Sequence, residues 1–143
     1  MKRIGFLGVA TLAVAMAVPA AGAEQAFDWS GAVAAGKAVE IKGINGGIEA
    51  TGTSGGQVVL HAVKKGKKND PSEVKIEVVE HADGVTICAV YPSTGEPNEC
   101  KPGEGGRMKV NGNDVSVRFE VEVPAGVRFV GRTVNGGIEA RGI

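Results

Sequence analysis

The chain has 143 residues, with sixteen Lys and Arg against sixteen Asp and Glu, so its formal net charge is zero and it has no basic excess to hold nucleic acid or an anionic membrane surface. Twenty-three glycines beside four Phe, one Tyr and one Trp argue against a helical bundle, because each Gly inside a helix costs about 1 kcal/mol relative to Ala. Two cysteines are too few for a disulfide-rich miniprotein or a four-Cys zinc site.

The first predicted element is a helical signal peptide. Met1, Lys2 and Arg3 give a positive start, Ile4 to Val18 is apolar, and Pro19 precedes the small residues Ala21-Gly22-Ala23. The apolar run is about 15 residues, short of the roughly 20 that span a bilayer. Cleavage is expected between Ala23 and Glu24, giving an exported protein of the periplasm, cell surface or extracellular space. Glu24 at that point offers no Cys for a lipid anchor. Nothing after residue 23 is long and apolar enough to cross a membrane. The mature chain, 24–143, reads as a single domain.

Ala38-Val39-Glu40-Ile41-Lys42 is followed by Ile44-Asn45-Gly46-Gly47-Ile48-Glu49-Ala50-Thr51-Gly52. In this block Asn-Gly-Gly can take positive φ and bend the chain, feeding a short strand with Ile and Ala on one face and Glu on the other. Gln57 to Val63 is apolar at nearly every position and predicts a strand covered on both faces. The basic run Lys64-Lys65-Gly66-Lys67-Lys68 follows. It is read as a solvated loop that discourages edge pairing, with contact to an anionic polymer or headgroup as the functional alternative.

Val74 to Val78 alternates with period two, and Val85 to Tyr91 is rich in β-branched residues. Cys88 and Cys100 flank a Pro- and Gly-rich stretch. In an oxidising compartment a Cys88–Cys100 disulfide would staple that loop, contributing up to about 3 kcal/mol. Val115 to Val123 is the clearest strand, with Val, Val, Phe, Val, Val at odd positions and Ser, Arg, Glu, Glu between them. Val127 to Gly131 then leads into Val134-Asn135-Gly136-Gly137-Ile138-Glu139-Ala140-Arg141-Gly142, a second copy of the earlier block. Turn clusters at Ser54-Gly55-Gly56, Asn69-Asp70-Pro71, Ala82-Asp83-Gly84 and Pro124-Ala125-Gly126 separate the strands.

These signals give an all-β fold. The repeated strand-turn-strand blocks favour a β-solenoid or single-stranded β-helix-like stack of short strands, and a β-sandwich of independent hairpins is the alternative.

The two Asn-Gly-Gly-Ile-Glu-Ala blocks, Val-Pro-Ala-Gly-Val at 123–127 and Gly-Val-Thr-Ile-Cys-Ala-Val-Tyr-Pro at 84–92 resemble exported bacterial adhesin-type β-strand-repeat domains, a family of unknown function. The resemblance covers about residues 37–143. It implies a solenoid-like architecture on the envelope side of the membrane and supplies no catalytic residues. Such domains run on for further repeats, so the chain is expected to be incomplete at its C-terminal end, or to pair its terminal strand with a partner.

Few residues suggest chemistry. His61, His81, Cys88 and Cys100 match no zinc-site spacing, and no Gly-x-Ser-x-Gly elbow occurs. Asp70, Asp83 and Asp114 sit at turns, Arg118, Glu120 and Glu122 form a charged strand face, and Trp29 and Tyr91 are isolated aromatics read as packing residues. No catalytic, metal or cofactor site is expected. The expected role is a non-catalytic adhesive or structural envelope domain with a glycan or protein ligand and no nucleic acid. A β-helix protein that binds or processes carbohydrate is the alternative.

Overall fold

A computed structural model describes residues 24–143. The expected leader, residues 1–23, lies outside the described residues. Among the described residues the fold is all-β, with nine strands and one short 3-10 turn. The strands are β1 (Glu24–Gly31), β2 (Ala38–Lys42), β3 (Ile48–Thr53), β4 (Val58–Lys65), β5 (Lys75–His81), β6 (Gly84–Val90), β7 (Ser116–Pro124), β8 (Arg128–Arg132) and β9 (Ile138–Arg141). The 3-10 turn, Pro71–Glu73, is capped by Asp70, whose carboxylate accepts from the Ser72 N–H.

The strands form two mixed sheets: five strands in the order β1-β4-β7-β3-β9, and four in the order β5-β6-β2-β8. Alternation decides which side chains they share. Val117, Phe119, Val121 and Val123 of β7 point inward, as do Val58, Leu60 and Ala62 of β4 and Ile48 and Ala50 of β3. They meet Val39 and Ile41 of β2 and Val85, Ile87 and Ala89 of β6 in one hydrophobic cluster. Each large aliphatic or aromatic side chain buried there contributes about 1.5–3 kcal/mol.

The two repeats are stacked. β2 crosses from the four-stranded sheet into β3 of the five-stranded sheet, and β8 crosses in the same way into β9. β2 pairs with β8 in parallel, Ala38 beside Arg128, and β3 pairs with β9 in parallel, Ile48 beside Ile138. Between them Asn45 and Asn135 form a parallel bridge, with Asn135 N–H donating to the Ile44 carbonyl and Gly46 N–H to the Asn135 carbonyl, both at 2.7 Å. On the other side of this tier, β6 pairs in parallel with β2 and β7 with β3.

Gly46 explains why the bend needs this residue type. Its φ is 128°, and a Cβ there would run into the carbonyl of Val117 on β7. At Gly46 the chain can approach β7 this closely only without a side chain.

Two features differ from the sequence reading. The Gln57–Val63 segment is covered on one face only, since β4 buries Val58, Leu60 and Ala62 while Val59 on the other face is 41% exposed. Val59 and Val63 are apolar without being core; β-branched residues suit a half-exposed pleated surface. β1, unmarked in the sequence reading, adds an antiparallel strand to β4 and lays Phe27 and Trp29 against the core.

Candidate functional site

Two surfaces gather the polar side chains. The first is the outer face of the five-stranded sheet. Register sets one transverse row across all five strands: Asp28 on β1 opposite His61 on β4, His61 opposite Glu120 on β7, Glu120 beside Glu49 on β3, and Glu49 beside Glu139 on β9. His61 Nδ1 lies 2.6 Å from Asp28 Oδ1. Arg118 Nη2 reaches Glu49 at 2.9 Å and Glu120 at 3.6 Å, and its hydrogen bond to Glu49, with the charges of Glu120 and Glu49, holds the guanidinium pKa above its ordinary value. A shallow depression of about 370 Å³ lies over the row, lined by Glu49, Thr51, Val59, His61, Glu120 and Glu122 among others. Such a face can bind by hydrogen bonds and charge over a broad area.

The second surface is the outer face of the four-stranded sheet, covered by the long connection between β6 and β7. Cys88 on β6 and Cys100 in the connection are joined by a disulfide, as the sequence predicts. Asn98 pins the connection to itself, donating to the carbonyls of Tyr91 and Lys109 at 2.9 Å each. The Tyr91 hydroxyl, in the core, donates to the Val115 carbonyl at 2.6 Å. Lys42 Nζ donates to the carbonyls of Lys101 and Gly105.

Under this cover sits Glu40 of β2, 6% exposed. Its carboxylate accepts from the Thr86 hydroxyl at 3.0 Å, the Gly103 N–H at 2.9 Å and Arg132 Nε at 3.0 Å. Burial alone would push the carboxyl up. The Gly103 N–H, Arg132, Thr86 and the Lys42 charge outweigh that and hold it below its ordinary value. His81 Nε2 extends the chain of contacts, 2.9 Å from the Thr86 hydroxyl. Beside the network a groove of about 390 Å³ runs between the connection and the repeat corners, with Lys42, Ile44, Cys88, Met108, Arg132 and Val134 among its walls.

The basic run divides. Lys64 lies on the inner face of β4, 8% exposed, and donates to the Val74 carbonyl at 2.9 Å; burial, then the nearby Lys75 charge, lowers its pKa. Lys65 pairs with Glu24 at 2.9 Å. Lys67 and Lys68 project outward, and their backbone N–H groups, with that of Asn69, converge on the carboxylate of Asp114. The anion held by this loop backbone is therefore one of the chain's own. Those N–H bonds hold the Asp114 carboxyl below its ordinary value.

The two histidines lie on different sheets, His61 on β4 and His81 on β5, and both thiols are committed to the disulfide. Among the described residues no group of three or more His, Cys, Asp or Glu is placed to hold a metal ion. Trp29 and Tyr91 both pack, Tyr91 in the core at 2% exposed and Trp29 against its edge, folded over Gly31. Asn45, Gly46, Gly47, Asn135, Gly136 and Gly137 come together at one corner.

The sequence reading gave no role to Glu40, Arg132 or Thr86. Their partners are 46 to 92 residues apart in sequence, so no local pattern marks them. No helix among the described residues is long and apolar enough to cross a membrane. No family model, curated protein or solved structure matches the chain.

Proposed function

We propose that this chain is an exported, non-catalytic β-repeat domain of the cell envelope that binds a glycan or protein ligand through sheet surface, in the manner of the adhesin-type domains its repeats resemble. The observation that carries this reading is the charged row on the five-stranded sheet, where Asp28, His61, Glu120, Glu49 and Glu139 align across five strands. A rigid sheet holds these groups at fixed spacing, which lowers the ordering cost of binding an extended partner. The Cys88–Cys100 bridge is compatible with export, since such bonds persist in oxidising compartments.

We also read the parallel tiers β6/β7, β2/β3 and β8/β9 as a short solenoid-like stack, with β1, β4 and β5 added antiparallel at one end. The support is the parallel register of β6, β2 and β8 in one sheet and of β7, β3 and β9 in the other.

The test is binding of the exported protein to arrays of envelope glycans and surface proteins. A ligand retained by the wild type and lost on Glu49→Lys with Glu120→Lys, both on the exposed face, supports the reading. Turnover of a glycan on the same panel would favour the carbohydrate-processing alternative. Binding that ignores these substitutions would move the site elsewhere. N-terminal sequencing of the secreted product, expected to begin at Glu24, tests export separately.

A further inference from the structure

We propose that Asn111 is a site of spontaneous covalent modification, at which its side-chain amide cyclises onto the backbone nitrogen of Gly112 and leaves as ammonia. Asn precedes Gly three times in the chain, at 45–46, 111–112 and 135–136. Asn is thermolabile, and most so before Gly, whose missing Cβ leaves the attacking nitrogen unshielded and the backbone free to turn. The fold treats the three sites differently.

At the repeat corner two of them are held. Gly46 N–H donates to the Asn135 carbonyl and Asn135 N–H to the Ile44 carbonyl, both at 2.7 Å, and the Asn135 amide donates to Asn45 Oδ1. Backbone of Val117 crowds Gly46, and backbone of Gly46 crowds Gly136. Closing a ring at either site breaks the bridge between tiers.

Asn111 and Gly112 are exposed and lie outside any strand, in the connection between β6 and β7. Hydrogen bonds pin the chain on either side: Lys109 N–H donates to Asn98 Oδ1 at 2.7 Å, and Val115 N–H to Asn113 Oδ1 at 3.0 Å. Among the described residues neither the Asn111 amide nor the Gly112 N–H has a hydrogen-bond partner. Nothing lies within 4 Å of the place a Gly112 Cβ would take. The nitrogen and the amide carbon are neighbours in the chain with nothing to keep them apart, which makes attack effectively unimolecular.

In the step, hydroxide takes the Gly112 amide proton and the nitrogen bonds to Asn111 Cγ. The Cγ–Nδ2 bond breaks, and the amide departs as ammonia with a proton from water. Water then opens the five-membered imide. Addition at Cγ gives aspartate; addition at the main-chain carbonyl gives isoaspartate, with the backbone rerouted through the side chain. Asp114 stays anchored by the N–H groups of Lys67, Lys68 and Asn69, so the sheets should persist.

The experiment is mass spectrometry of the full exported chain, disulfide intact, incubated folded at mildly alkaline pH beside the same chain in urea. Incubation runs until the urea sample has converted half of its Asn111, with circular dichroism verifying both states. Tryptic peptides 43–64, 110–118 and 133–141 report the three sites separately. In the folded chain Asn111 should convert at close to its rate in urea, while Asn45 and Asn135, which must first open, should convert about tenfold or more slower than theirs. The product peptide gains the mass difference between OH and NH2 and divides into aspartyl and isoaspartyl forms. Asn111→Gln, which requires a larger ring, should leave that peptide unmodified. The proposal is overturned if folding protects Asn111 as strongly as the corner sites, or if the corner sites convert as fast as Asn111. Aspartate formed without isoaspartate, the mark of direct hydrolysis, also overturns it.

Discussion

The side-chain amide of Asn135 donates to Asn45 Oδ1 at 3.0 Å, although the two residues are 90 apart in sequence. The same residue type occupies the same corner in two stacked tiers, so the backbone bridge between them is doubled by a side-chain bond. The pair is exposed, and water competes for both amides. Its contribution is therefore at the lower end of the range for hydrogen bonds, about 0.5 kcal/mol.

Asn135→Ala and Asn45→Ala should each lower stability modestly, by about 0.5–1 kcal/mol. A urea-denaturation double-mutant cycle should find the double variant less destabilised than the sum of the singles. Strict additivity would mean that the amides do not interact in solution.

Gly46 and Gly137 occupy the same bend motif in different copies, and substitution should separate them sharply. A Cβ at Gly46 meets the Val117 carbonyl, whereas nothing lies within 4 Å of one at Gly137. Gly46→Ala should cost about 3 kcal/mol or more, combining strain at positive φ with displacement of β7. Gly137→Ala should change stability by less than about 1 kcal/mol. Equal thermal melting shifts for the two would show that the tiers do not close at this corner.

Cys88 is buried and Cys100 partly so, and their bond anchors the cover over Glu40. Cys88→Ala with Cys100→Ala should reduce stability by about 3 kcal/mol at most, the value for a loop of this order. Proteolysis should then cut first between β6 and β7, because only hydrogen bonds, from Lys42 to Lys101 and Gly105 and from Gly103 to Glu40, then tie the connection to β2. Unchanged cleavage kinetics would assign the hold to the polar contacts.

The strand pattern was legible where alternation is strict. Val115–Val123 predicts a two-faced strand, and β7 buries its odd-numbered Val and Phe residues while its even-numbered charges face out. The repeat was legible as well, because Asn-Gly-Gly recurs with the same flanks, and β3 and β9 follow the two copies. Other features were hidden for physical reasons. β1 carries only Phe27 and Trp29 as large apolar residues, so its strand character comes from pairing with β4. Val59 reads as core by residue type, yet its position in the pleat points it outward. Lys64 reads as a loop cation, but the same alternation turns it inward to the Val74 carbonyl. The Glu40 network depends on which strands become neighbours, and spacing along the chain does not encode that.

Glu40 makes the pH dependence of this fold testable. Its folded-state pKa lies below the ordinary value of 4.5, so the folded protein binds the proton less readily than the unfolded chain. The stabilisation from ionised Glu40 is therefore complete above about pH 4.5 and is lost as pH falls through the lower folded-state value. Glu40→Gln keeps the side chain's size but replaces the charge-assisted bonds from Arg132 and Gly103, and should cost about 2 kcal/mol at neutral pH. The difference in melting temperature between wild type and variant should narrow as the wild-type carboxyl is protonated. Asp114 and Asp70 also titrate below their ordinary values, so they lower the stability of both proteins together in acid and cancel in the comparison. A difference that stays constant from neutral to acid pH would place the cost of Glu40→Gln in packing, with no part for the charge.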